Sequence, residues 1–171
     1  MLEDPPGFVV RTEAEKAAFE RGFRLVHGTH GPWLQFGSTT APTKIWIAGA
    51  GPNGPWFLAV DHRGVATEFG PSIPLAGPGA GRYACATLGD LYDALSRAWR
   101  LARSLPNAPL LQFQQQTADL PRKTEAERTV IQRVGQNLFR DALLEYWGGR
   151  CPLTGITDPP LLRASHIVAW S

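Results

Sequence analysis

The chain is poor in cysteine and in excess charge. Its 171 residues hold two cysteines, Cys85 and Cys151, and no Cys-x-x-Cys pair. Two thiols so far apart exclude a disulfide framework and a four-cysteine zinc site on ligand count. A reducing cytoplasm is the expected compartment. Charged residues make up 19% of the chain and leave a net charge of +2, with a pI near 8.7. That balance permits an anionic partner without demanding one. Every apolar run is strand-sized, so no membrane partner is expected. Met1-Leu2-Glu3-Asp4-Pro5-Pro6 has neither a basic start nor an apolar stretch, so no signal peptide is expected. Glycine (18) and proline (15), by contrast, are abundant. They imply many turns but fall short of low complexity. The hydrophobic fraction of 43% is ordinary for a globular protein, and 171 residues suit one good core, or a modest core with a small appended module.

Apolar periodicity places the elements. Thr12 to Phe23 reads as a short helix, with Thr12 and Glu15 in capping-box spacing and Ala14, Ala17, Ala18 and Phe19 on one side. Strand-like runs follow at 33–36, 44–48 and 56–60, with an Asn53-Gly54 turn signal between the last two. A turn at 61–64 leads into Val65–Phe69, read as another strand of an antiparallel meander. Residues 70–81 are rich in Pro and Gly and read as a loop. Thr87 to Leu105 is predicted as a helix, capped by Thr87 and carrying Leu88, Leu91, Leu95, Trp99 and Ala102 at helical spacing. The polar stretch 106–121, with Gln112, Gln114, Gln115 and Gln116, reads as a linker with at most one helical turn. A third helix starts at Thr124, where Glu127 completes a capping box. Val130, Val134, Leu138, Ala142 and Tyr146 form its apolar stripe, widened by Ile131, Phe139, Leu143 and Trp147. Gly148-Gly149 stops it. Leu161 to Val168 reads as a strand.

Several features invite a functional reading. Gly49 to Gly54 spells G-x-G-x-x-G, but a dinucleotide loop must run from a strand into a helix. Here Pro52 and Pro55 flank a turn and a strand-like run follows, so a hairpin turn is expected. His27 and His30, with Asp61 and His62, have the residue types of a metal site; polar residues near the turn glycines Gly28 and Gly31 are the commoner explanation. Trp33, Trp46 and Trp56 offer faces for base stacking, but core packing is the commoner use. Arg133, Gln136, Asn137 and Arg140 lie on one side of the third helix. They suit phosphate contact, or simply a solvated face.

The most specific signal lies at the C-terminal end. The string from Arg133 through Gln136, Asn137, Phe139 and Arg140 to Trp147 resembles the helix that leads into one branch of the HNH endonucleases, among them restriction endonucleases. Cys151-Pro152-Leu153-Thr154-Gly155 resembles the Cys-x-x-Thr-Gly knuckle after that helix. Leu161-Leu162-Arg163-Ala164-Ser165-His166-Ile167 resembles the strand carrying the first histidine of the motif. Three pieces in the family's order are far more specific than any one alone. The resemblance covers residues 122–171, and the segment before them is similar to the region that precedes the nuclease in some bacterial members.

The resemblance implies a ββα fold around one divalent metal, Mg²⁺ or similar, and cleavage of DNA in restriction or defence. His166 matches the general base that activates water. Arg133, Gln136, Arg140 and Arg163 are the candidate nucleic-acid contacts. The family's second half contributes an Asn and a further His, and neither follows His166 in these residues. No metal site is complete here, and the chain as written is expected to be catalytically inert.

The expected fold is α+β: a small antiparallel sheet with flanking helices over 1–110, a linker over 111–121, and the opening part of an HNH module over 122–171. DNA is the expected partner, and a homo-oligomer is possible. The alternative is a non-catalytic DNA-binding or protein-interaction module.

Overall fold

The computed structural model describes residues 2–105, 107–121 and 124–164. The chain divides into two compact units, Met1–Ala102 and Arg103–Ser171.

The first unit opens with helix α1 (Phe8–Glu20), followed by strands β1 (Leu25–His30), β2 (Trp33–Gly37), β3 (Lys44–Gly49) and β4 (Trp56–Val60). Helix α2 (Arg63–Phe69), strand β5 (Gly81–Cys85) and helix α3 (Leu88–Ser104) complete it, except that the last two residues of α3 fall in the second unit. The five strands pair antiparallel in sequence order, β1-β2-β3-β4-β5. The architecture is α+β, as expected.

Strand register sorts the side chains by face, since neighbours along a strand point to opposite sides. Phe36 pairs with Ile45 and Ile47 with Leu58. Trp56 pairs with Cys85 and Leu58 with Tyr83. These residues of β2 to β5 are buried, and α1 lies against them, with Val10 over Gly49 beside the Trp56 ring. The opposite face is buried as well: Trp33, Trp46, Ala48 and Ala59 form a cluster sealed by Leu2, Phe57 and Leu75. The cover there is the Pro/Gly loop. Arg82 anchors it by donating from Nη1 to the carbonyls of Gly77 (3.1 Å) and Pro78 (3.2 Å). Burial on both faces explains why β2 and β3 read as apolar runs rather than as clean alternation.

Helix α3 forms where its capping box predicts. Thr87 Oγ1 accepts from Asp90 N at 3.1 Å, and Asp90 Oδ2 accepts from Thr87 N at 2.8 Å. Its Leu91, Leu95, Ala98, Leu101 and Ala102 are buried. Arg97 ties the helix to α2, donating to Glu68 O at 2.6 Å with its guanidinium 4.8 Å over the Phe69 ring.

Four expectations need correction here. Helix α1 begins at Phe8, before Thr12, because Glu3 Oε2 accepts from Gly7 N at 2.9 Å and Gly7 is the N-cap. Thr12 instead donates from Oγ1 to Phe8 O within the helix. Residues 65–69, expected as a strand, are the body of α2, which is capped by His62, whose Nδ1 accepts from Val65 N. The Val65–Phe69 spacing fits one helical turn as well as strand alternation, and β-branching misled. Strand β1 resembles a turn in sequence because Gly28 lies within it and Gly31 follows it, and all six of its residues are exposed. Strand β5 was hidden by its position straight after the loop.

The second unit contains α4 (Asn107–Thr117), α5 (Glu125–Tyr146) and a short 3₁₀ turn at Pro159–Leu161. The expected linker 111–121 is therefore largely helix, and the boundary between units falls at Ala102, not 110. Pro109 sits in the first turn of α4, where its missing N–H costs nothing, and the glutamines that follow are good helix formers. Expected strand 161–168 starts instead in the 3₁₀ turn, and residues 162–164 have no regular structure. Residues 165–168 lie outside the described residues.

Candidate functional site

Local chemistry specifies α5. At its start Thr124 Oγ1 accepts from Glu127 N (3.3 Å) while Glu127 Oε2 accepts from Thr124 N (2.8 Å). Glu125 and Glu127 both sit in the first turn, where carboxylates favour the helix dipole. At its end Gly149 N donates to Leu144 O at 2.6 Å and Gly148 N to Glu145 O at 3.1 Å. Gly148 and Gly149 adopt φ of 65° and 72°, left-handed values that side chains resist. Helix α4 packs on α5, with the Phe113 ring 3.4 Å from the space a Cβ on Gly135 would take. Within this unit Arg103 Nη1 pairs with Glu145 Oε1 at 2.9 Å.

The knuckle follows directly. Cys151 N donates to Ile156 O and Gly155 N to Cys151 O, both at 2.9 Å, closing residues 151–156 into a tight turn. The Cys151 thiol is held below its ordinary pKa, first by a hydrogen bond from the Thr154 side chain and then by the backbone of Thr154 and Leu153. These donors favour the thiolate. Arg140 joins helix to knuckle: its Nη2 donates to Pro159 O at 3.0 Å, and its Nη1 lies 3.8 Å from Asp141 Oδ1.

The candidate contacts differ in what occupies them. Arg133, Gln136 and Arg140 share one side of α5 by their spacing of three and four. Arg133 and Gln136 are exposed, and neither has a hydrogen bond or ion pair among the described residues. Arg140 already spends donors on Pro159 and Asp141, so it positions the segment after the knuckle. Arg163 is exposed, and no contact joins it to that row among the described residues. His166, the candidate catalytic base, lies outside the described residues.

The histidines of the first unit do not converge. His30 Nε2 lies 3.0 Å from Gln35 Oε1, His62 caps α2, and Asp61 Oδ1 accepts from Thr43 Oγ1 and Lys44 N, each at 2.8 Å. Among the described residues no three His, Cys, Asp or Glu side chains gather. These residues therefore do not supply the donor set a divalent ion needs. Gly49 to Gly54 joins β3 to β4, strand to strand, without the helix start that a dinucleotide loop requires. Trp33, Trp46 and Trp56 are core residues, each indole N–H buried without a partner among the described atoms.

One feature escaped sequence reasoning. A cavity of about 390 Å³ opens at the end of the sheet where β1, the β2–β3 loop and the start of β3 meet, and it is lined in part by His27, Lys44 and Asp61. Its residues come from three separate segments, and only the pairing of β1 with β2 brings His27 to it. No helix of the described residues is long and apolar enough to cross a membrane. No protein-family model, no curated protein and no solved structure matches the chain.

Proposed function

We propose that the second unit is the leading part of an HNH endonuclease module that acts on DNA. The observation that carries this reading is the helix-and-knuckle arrangement. A capped α5 stops at Gly148-Gly149, Cys151 to Ile156 closes into a turn, and Arg140 holds the following residues to the helix. That order of parts accords with the resemblance in residues 122–171.

On this reading His166 is the general base, taking a proton from the water that attacks phosphorus. A divalent ion, when bound by the whole motif, supplies neutralisation of the charge that builds on the phosphate. On the same reading Arg133, Gln136 and Arg163 contact DNA, while Arg140 holds Pro159 to the helix.

Binding to a DNA duplex across a salt series tests the reading. Affinity should fall with salt, and Arg133→Ala or Arg163→Ala should each lower the log–log salt slope by about 1. Supercoiled plasmid with Mg²⁺ or Mn²⁺ should stay uncut, because these residues lack the family's Asn and second His; nicking lost in His166→Ala would overturn that expected inertness. No binding at low salt, or binding indifferent to both arginines, overturns the reading.

A further inference from the structure

The cavity in the first unit has one wall built from a hydrogen-bonded loop. Its loop is pinned from three sides. Ser38 Oγ accepts from Thr40 N and Ala41 N, both at 3.2 Å. Trp99 Nε1 donates to Thr40 Oγ1 at 3.2 Å. Thr43 Oγ1 and Lys44 N both donate to Asp61. A rigid wall spares a ligand the entropy of ordering it.

Two devices place His27 in this cavity. A bulge interrupts the register of β1 between Val26 and Gly28, at His27 itself, and bulges re-aim side chains. Across the pair stands Gly37, where a Cβ would come within 2.6 Å of His27 Nε2. The imidazole therefore rests over Gly37, and a side chain there would displace it. Lys44 lines the same cavity and has no ion pair among the described residues. Leu25 and Ala41 supply apolar wall beside these polar groups. The volume lies within the range of small-molecule sites.

We propose that this cavity binds a small molecule that joins an oxyanion to a neighbouring hydroxyl. The oxyanion meets Lys44 and His27, and the hydroxyl donates to the Asp61 carboxylate. The carboxylate beside the lysine limits the total positive charge, so the cavity suits a single head group better than a polyanion. The inference is independent of the nuclease reading, since every residue it uses lies in the first unit.

Three probes on the full chain test it, with the His27 ring resonances followed by NMR. Ribose 5-phosphate joins phosphate to hydroxyls, lactate joins carboxylate to hydroxyl, and inorganic phosphate has the head alone. The expected result is saturable shifting of His27 by ribose 5-phosphate or lactate with a Kd of about 1 mM or tighter, and binding weaker by about tenfold for inorganic phosphate. Whichever of the first two binds tighter identifies the head. Lys44→Met, which keeps the stem and removes the charge, should weaken binding at least tenfold while the melting temperature holds. Gly37→Ala should do the same by displacing the imidazole. No shift with either hydroxylated probe, equal binding of inorganic phosphate, or affinity indifferent to Lys44→Met overturns the proposal.

Discussion

The first unit buries Trp56, Phe36, Ile45, Ile47, Leu58 and Leu95 almost completely, whereas the 22-residue α5 of the second unit has no buried residue. Val130 and Trp147 of its apolar stripe and stop region are each 48% exposed. The two units are thus specified differently. Packing on both faces of a sheet holds the first. A capping box, a glycine stop, a hydrogen-bonded turn and the Arg140–Pro159 bond shape the second. Their cysteines follow suit. Cys85 lies in the core with its thiol pushed up to about 11, first by burial and then by Asp90. Cys151 has its thiol lowered by the donors of its own turn. The same residue type is packing material in one unit and a hydrogen-bond acceptor in the other.

The sharpest way to break this comparison is Trp56→Ala. Removal of a fully buried indole should cost about 3–5 kcal/mol and unfold the sheet in a thermal melt. A loss under about 1 kcal/mol would mean that the first unit is not held by its core.

Alkaline pH gives the next largest effect. The folded pKa of Cys85 lies above its ordinary 9.0. The neutral thiol is therefore favoured in the core, and its contribution is full below about pH 9. Between there and about 11 the unfolded chain ionises and the folded chain does not, so stability should fall by roughly 2–3 kcal/mol. Cys85→Ala should flatten that part of the curve. Under native conditions near neutral pH, iodoacetamide should modify Cys151 and spare Cys85. Equal rates would erase the contrast.

Thr124→Ala should be the smallest. Loss of the cap costs about 1 kcal/mol, read as roughly fivefold faster amide exchange in the first turns of α5, with the sheet amides unchanged. A matching change in the sheet would show that the two units share their stability.

Legibility in the sequence follows the same division. Helices α3 and α5 were readable because their caps are local: Thr87 with Asp90, Thr124 with Glu127, and Gly148-Gly149 at the end. Strands β2, β3 and β4 were readable as apolar runs. Strand β1 was not, because its exposed residues carry no alternation and its place depends on pairing with β2. Helix α4 was missed because glutamine-rich sequence resembles a linker when composition alone is weighed. Helical spacing puts Arg133, Gln136 and Arg140 on one side of α5, but the bond from Arg140 to Pro159 depends on the turn that follows. The cavity at His27 and Lys44 was illegible for a simpler reason. It is assembled from segments ten or more residues apart, and Gly37, over which the imidazole rests, looks like any strand end.

The central claim is that DNA is met by the second unit, and an amide chemical-shift titration of the full chain with a short duplex at low salt tests it most directly. Shifts concentrated at Arg133 to Arg140 and at Arg163, reduced by Arg133→Ala, are the expected result. Shifts confined to residues 2–102, or none at all, would contradict it.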